Sequence, residues 1–129
     1  MHKHFLLALF IGSIALAGIA HAQTPKRGAN GGMVMVADGH PIEFVSKDQD
    51  IVFYILDDDG TPLSSKTMQG RAIVQDGGKT TTVPLSSSEP NKLVGKLAAP
   101  LGAKARVALS ATFSAGGHKH TLQARFMAN

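Results

Sequence analysis

The chain has 129 residues, 43% of them hydrophobic and none of them cysteine. That length fits one domain, and that apolar share excludes a chain disordered throughout. Without cysteine there is no disulfide framework, thiolate zinc site, iron–sulfur cluster or cysteine nucleophile. The net charge is +4, from 13 Lys and Arg against 9 Asp and Glu.

Residues 1–22 read as a cleaved secretory signal peptide. Lys3 is a short positive start, Phe5 to Ile19 is an apolar run, and Ala20-His21-Ala22 offers small residues at the −3 and −1 positions. The apolar run is shorter than the roughly 20 residues of a membrane span, although an uncleaved N-terminal anchor is the alternative. No cysteine follows it, which excludes a lipoprotein anchor. Cleavage is expected before Gln23; cleavage after Ala20 would instead leave His21 as the first residue, with amine and imidazole side by side. Taking 22 from 129 residues leaves 107, and losing Lys3 leaves 12 basic against 9 acidic residues, a net +3. The basic residues are scattered and not interleaved with aromatics, so nucleic-acid binding is not expected. No second apolar span follows, so the processed product is expected to be soluble, periplasmic or secreted.

Residues 23–32 carry Pro25, Gly28, Asn30, Gly31 and Gly32 and read as a flexible lead-in. The remainder, 33–127, reads as an all-β domain, because short apolar runs alternate with turn signals. Strands are expected at 33–37, 40–46, 50–57, 69–75, 79–85, 91–97, 103–113 and 118–126. Asp38-Gly39 is a tight hairpin turn, Asp58-Asp59-Gly60-Thr61-Pro62 a turn opening a longer loop, and Asp76-Gly77-Gly78 another turn. Alternation is clear near the end. Ala105, Val107, Leu109, Ala111 and Phe113 share one face of their strand, and Leu122, Ala124 and Phe126 share one face of the next. The architecture expected is an immunoglobulin-like antiparallel β-sandwich of seven to eight strands rather than a barrel.

The processed chain has three histidines: His40, His118 and His120. His118 and His120 stand at i and i+2 on a strand, so they share a face, roughly 6–7 Å apart. Two imidazoles so spaced can converge on one metal ion. If consecutive strands alternate in direction, His40, His118, His120 and the turn at Asp57, Asp58 and Asp59 all fall at one end of the sandwich. His40 keeps step with Ile42 and Phe44, and the other two keep step with Leu122, so all three face inward. Imidazole with carboxylate favours Cu(II), Zn(II), Ni(II) or Co(II). The metal set expected is His40, His118 and His120, completed by Asp57 or Asp59. The alternative reading is that these polar side chains plug the open end of the sandwich and the aspartates only make a turn. Met33 and Met35 repeat the i, i+2 spacing with thioethers, which suit Cu(I) or simply fill a core.

Catalysis finds little support. Ser64, Ser65 and Ser86 to Ser88 lie outside any nucleophile elbow, and Gly31-Gly32 and Gly77-Gly78 open no helix that would cradle phosphate.

The run Gly31-Gly32, Gly39-His40-Pro41-Ile42-Glu43-Phe44-Val45 and Tyr54-Ile55-Leu56-Asp57-Asp58-Asp59-Gly60-Thr61-Pro62 resembles a group of small exported β-sandwich proteins that accompany heavy-metal efflux systems. It is similar to the N-terminal extension of some periplasmic metal-efflux adaptors. The likeness spans most of residues 30–126. In that group a histidine often precedes the first Gly-Gly and another sits within the Asp-x-Asp-Gly turn. Here those places hold Asn30 and Asp58, while His40 matches. The resemblance implies a β-sandwich with a supporting role in metal homeostasis and no catalytic activity.

The expectation is therefore a periplasmic accessory protein that binds copper or zinc and buffers the ion or passes it to an efflux adaptor. The alternative is a non-catalytic interaction module that docks onto an envelope complex through exposed apolar residues, with Ile73, Val45 and Val94 as candidates.

Overall fold

The computed structural model describes residues 26–128. The expected signal peptide, both cleavage points and His21 lie outside the described residues. Nine antiparallel strands make up the fold: β1 (Lys26–Arg27), β2 (Met33–Ala37), β3 (His40–Lys47), β4 (Asp50–Ile55), β5 (Gln69–Asp76), β6 (Lys79–Ser88), β7 (Lys92–Lys96), β8 (Arg106–Ala115) and β9 (His118–Met127). The described residues contain no helix, and none long and apolar enough to cross a membrane. The all-β antiparallel architecture is as expected, with strand bounds within a few residues of those read from alternation.

The ladder runs β1-β2-β3-β4-β7-β6-β5-β8-β9. Strand β6 belongs to two neighbourhoods. Its first part pairs with β5, from Lys79↔Asp76 to Leu85↔Gly70, and its last residues pair with β7, from Ser86↔Val94 to Ser88↔Lys92. The sheet turns over along this strand, and its two halves face each other. Pro84, which has no N–H to donate, sits on β6 just before the exchange, where the strand has a hydrogen-bonded neighbour on one side only.

The alternating apolar positions fill the space between the halves. Phe44 and Phe53 of one half meet Phe126 of the other, with ring centroids 5.2–5.7 Å apart in the three pairs. Such tilted aromatic pairs contribute roughly 0.5–1.5 kcal/mol each beyond area burial. Ile42, Ile51, Ile55, Leu93 and Leu122 are fully buried around them. Gly95 is where β7 passes closest to the facing side chains: a Cβ there would stand 2.7 Å from Leu85 Cδ2 and 3.0 Å from Val83 Cγ1.

Four differences from the sequence reading have local causes. Strand β4 ends at Ile55, because Asp57 starts the turn, accepting the Gly60 amide at 2.9 Å. Strand β8 starts at Arg106 because Lys104 is left-handed (φ 66°), which breaks the extended chain. The β8–β9 turn is only Gly116-Gly117, with φ 59° and 75°, the values of a two-residue type I′ hairpin. Lys26–Arg27, inside the expected lead-in, form β1 on the edge of β2. The turn after β1 is anchored by Glu43, which is 6% exposed. Its carboxylate accepts the Asn30 amide (2.9 and 3.1 Å), the Asn30 side-chain amide (3.0 Å) and the Gly32 amide (2.7 Å). Gly28 lies directly against this carboxylate.

Candidate metal rim

The directions of the strands alternate through the described residues, although β4 and β5, and β7 and β8, are not neighbours in the sheet. The start of β3, the end of β4 and the start of β9 therefore meet at one end of the sandwich. This is where the histidines and aspartates were expected.

His40 opens β3 directly after the Asp38-Gly39 turn, whose φ values of 49° and 79° fit the same tight hairpin type. Its Nδ1 lies 3.1 Å from the Leu56 carbonyl. A carbonyl only accepts, so Nδ1 carries the proton and the neutral ring keeps its lone pair on Nε2, the tautomer that a second partner fixes in metal-ligating histidines. The same Nδ1 is 3.8 Å from Asp57 Oδ1; the His40 side chain is 16% exposed and that of Asp57 is 44% exposed. The His40 ring stands edge-on to Phe113, centroids 5.8 Å apart at 88°. Phe113 in turn stacks on His120 at 5.1 Å and 19°. Register explains the stack: His120 pairs directly with Phe113, and both side chains point inward. His118 pairs with Ala115 beside the hairpin turn and is exposed.

The turn beyond β4 supplies the carboxylates. Asp57, Asp58 and Asp59 have ligand oxygens within 4.8 Å of one another, and among the described residues this is the one group of three or more ligand-bearing side chains that close. Part of their capacity is used locally. Asp57 Oδ1 accepts the Asp58 amide at 2.9 Å, and Asp59 Oδ1 accepts the Thr61 amide at 3.0 Å and hydroxyl at 2.5 Å. These bonds, the hydroxyl first, hold the Asp59 carboxyl below the ordinary carboxylate range. The loop behind the turn is firmly seated. Fully buried Ser65 donates to the Ser88 carbonyl at 3.0 Å, and Asn91 Nδ2 donates to the Ile55 carbonyl at 3.0 Å.

The structure thus brings His40, His120, Asp57 and the neighbouring aspartates to one rim, with His118 exposed at its outer side. It does not draw the three imidazoles into one close group. Phe113 stands between His40 and His120, a neighbour visible in the sequence only as one more inward position on its strand.

The apolar candidates for docking are placed differently. Ile73, Val45 and Val94 are each half-buried. Val45 lies against Gly32 of the turn held by Glu43, and Val94 is flanked by Val52 and Ser86 of the neighbouring strands. The exposed large apolar side chains are instead Met35 (40%) and Val36 (67%), on β2 past the short β1, and Met127 (47%), on β9.

No family model matches the chain, and no curated protein matches it. Among solved structures, the crystal structure of the Br derivative of BhCBM56 matches with a TM-score of 0.48 at 8% identity, covering 74% of this chain and 98% of that one. At that identity and score the likeness carries no argument about function.

Proposed function

We propose that the protein is an exported, non-catalytic binding module that takes up a Cu(II) or Zn(II) ion at the histidine rim and buffers it in the periplasm or passes it to an efflux adaptor. The observation that supports this reading most directly is the gathering of His40, His120 and Asp57 at one rim: the Leu56 carbonyl and Asp57 both lie at His40 Nδ1, which leaves Nε2 as the nitrogen that can ligate, and His120 stands across one phenylalanine ring. Imidazole nitrogen and carboxylate oxygen suit these ions, and no thiolate competes. The resemblance to exported proteins of metal-efflux systems points the same way. The ligands must close around the ion rather than receive it ready-made, so binding of micromolar rather than picomolar strength is expected, about −8 kcal/mol. Exchangeable binding of that order suits a protein that hands its cargo on.

Calorimetric titration of the purified protein with Cu(II) and Zn(II) tests this. The expected result is micromolar or tighter binding to one of the two ions, weakened at least tenfold both in His40→Ala and in the His118→Ala/His120→Ala double variant. Affinity should also drop between pH 7 and pH 5, because protons compete for the imidazole nitrogens. No heat with either ion, or heat unchanged in both variants, would make the rim an ordinary polar plug of the sandwich.

A further inference from the structure

The side of the sandwich where β9 approaches β2, opposite the fold at β6, carries a second set of features that the metal rim does not use. Strand β9 is ten residues long and pairs only with β8. The two-residue hairpin makes Ala115 and His118 a hydrogen-bonded pair, and every second pair along the ladder repeats that phase. The far end agrees, since the Ala128 amide donates to the Ala105 carbonyl at 2.8 Å. The remaining residues, Lys119, Thr121, Gln123, Arg125 and Met127, therefore turn their backbone N–H and C=O groups away from β8. No strand among the described residues pairs with that edge.

Facing this edge, β2 of the other half runs close to β9. Met33 and Met35 pair with Phe44 and Ile42 and share their inward face, yet Met35 is 40% exposed, while Phe44 and Ile42 are buried. A cleft of about 650 Å³ adjoins it, lined by Ile73, Arg106, Arg125 and Met127 from the outward face of β5, β8 and β9 and by Met33 and Met35 from β2. Neither arginine has a carboxylate within 4.0 Å among the described residues. An added strand on β9 would hydrogen-bond the free edge, place one row of side chains over the exposed methionines and the other beside the arginines. A second copy of this chain is disfavoured as the occupant, because antiparallel β9–β9 pairing brings the Arg125 and Lys119 charges of both copies onto one sheet face.

We propose that this edge binds an extended segment of a partner protein, apolar on one face and acidic on the other, as a tenth strand alongside β9. The proposal is independent of metal binding at the rim.

A capped heptapeptide alternating valine and glutamate is the probe, titrated into the purified protein with amide chemical shifts as the readout. Saturable shifts at Lys119, Thr121, Gln123, Arg125 and Met127 are expected, with a Kd of about 1 mM or tighter. The Arg106→Glu/Arg125→Glu variant should weaken binding at least tenfold, as should replacing the peptide's glutamates by lysine. Gln123→Pro removes an outward N–H without touching the β8 ladder, a position where an edge strand accepts proline. It too should weaken binding, while unchanged amide shifts in β3, β4 and β7 report an intact fold. Equal binding of the lysine peptide, shifts confined to other strands, or no saturation at several millimolar peptide would each overturn the proposal. So would a concentration-dependent dimer that the peptide fails to dissociate, or dodecanoate binding the cleft where the peptide does not.

Discussion

Replacing Glu43 by alanine should be among the most damaging single changes outside the aromatic core. The carboxylate is 6% exposed and accepts from three nitrogens, the amides of Asn30 and Gly32 and the Asn30 side chain. Hydrogen bonds to a charged acceptor contribute roughly 1.5–3 kcal/mol each. The three are not additive, because the freed turn can open and hydrate its amides. Buried strands have no such escape, so the cost here should stay below the simple sum, at about 2–4 kcal/mol. With a urea slope of about 1.5 kcal/mol per molar, the unfolding midpoint falls by roughly 1.3–2.7 M. Asn30→Ala, which removes one of the three donors and leaves both backbone bonds, should cost about 1 kcal/mol. Hydrogen exchange adds a local readout: the Gly32 and Asn30 amides lose protection in Glu43→Ala, and β1 frays from β2, while the β8–β9 hairpin keeps its protection relative to global unfolding. A midpoint shift under about 0.5 M, with Gly32 still protected, would refute the claim that this carboxylate anchors the turn.

Two further outcomes test other parts of the structure. Gly95→Ala places a Cβ 2.7 Å from Leu85 Cδ2 and 3.0 Å from Val83 Cγ1, so it should destabilise by about 1–3 kcal/mol through overpacking, and a Leu85→Ala background should recover part of that loss in thermal unfolding. The Asp59 carboxyl, titrated by carbon NMR, should show a midpoint below 3.8, and Thr61→Val should raise it. Its folded-state pKa is depressed, so the associated stabilisation is present above the unfolded carboxylate value and disappears as pH falls through the folded one. A midpoint that Thr61→Val leaves unmoved would show that the turn hydrogen bonds do not hold it.

The sequence by itself determined most of the strand content, most of the turns and the inward faces of β3, β8 and β9. Period-two alternation in Val107, Leu109, Ala111 and Phe113 is a local property, and so is the demand of Asp38-Gly39 and Gly116-Gly117 for positive φ. Parity then placed His40, His120 and Asp57 at one end, because direction alternates whether or not successive strands are neighbours. Tertiary structure decided the rest. The passage of β6 from one half to the other depends on strands far apart in sequence, and of its residues Pro84 alone marks a place with a partner on one side only. The isolation of Glu43 from water requires the Asn30 turn to fold back over β3. The interposition of Phe113 between His40 and His120 follows from the register of two strand pairings and the spacing of two layers, quantities that no local pattern encodes. The exposure of Met35 and Met127 has the same origin: whether an apolar residue on an inward face is covered depends on how many strands the opposite layer contains.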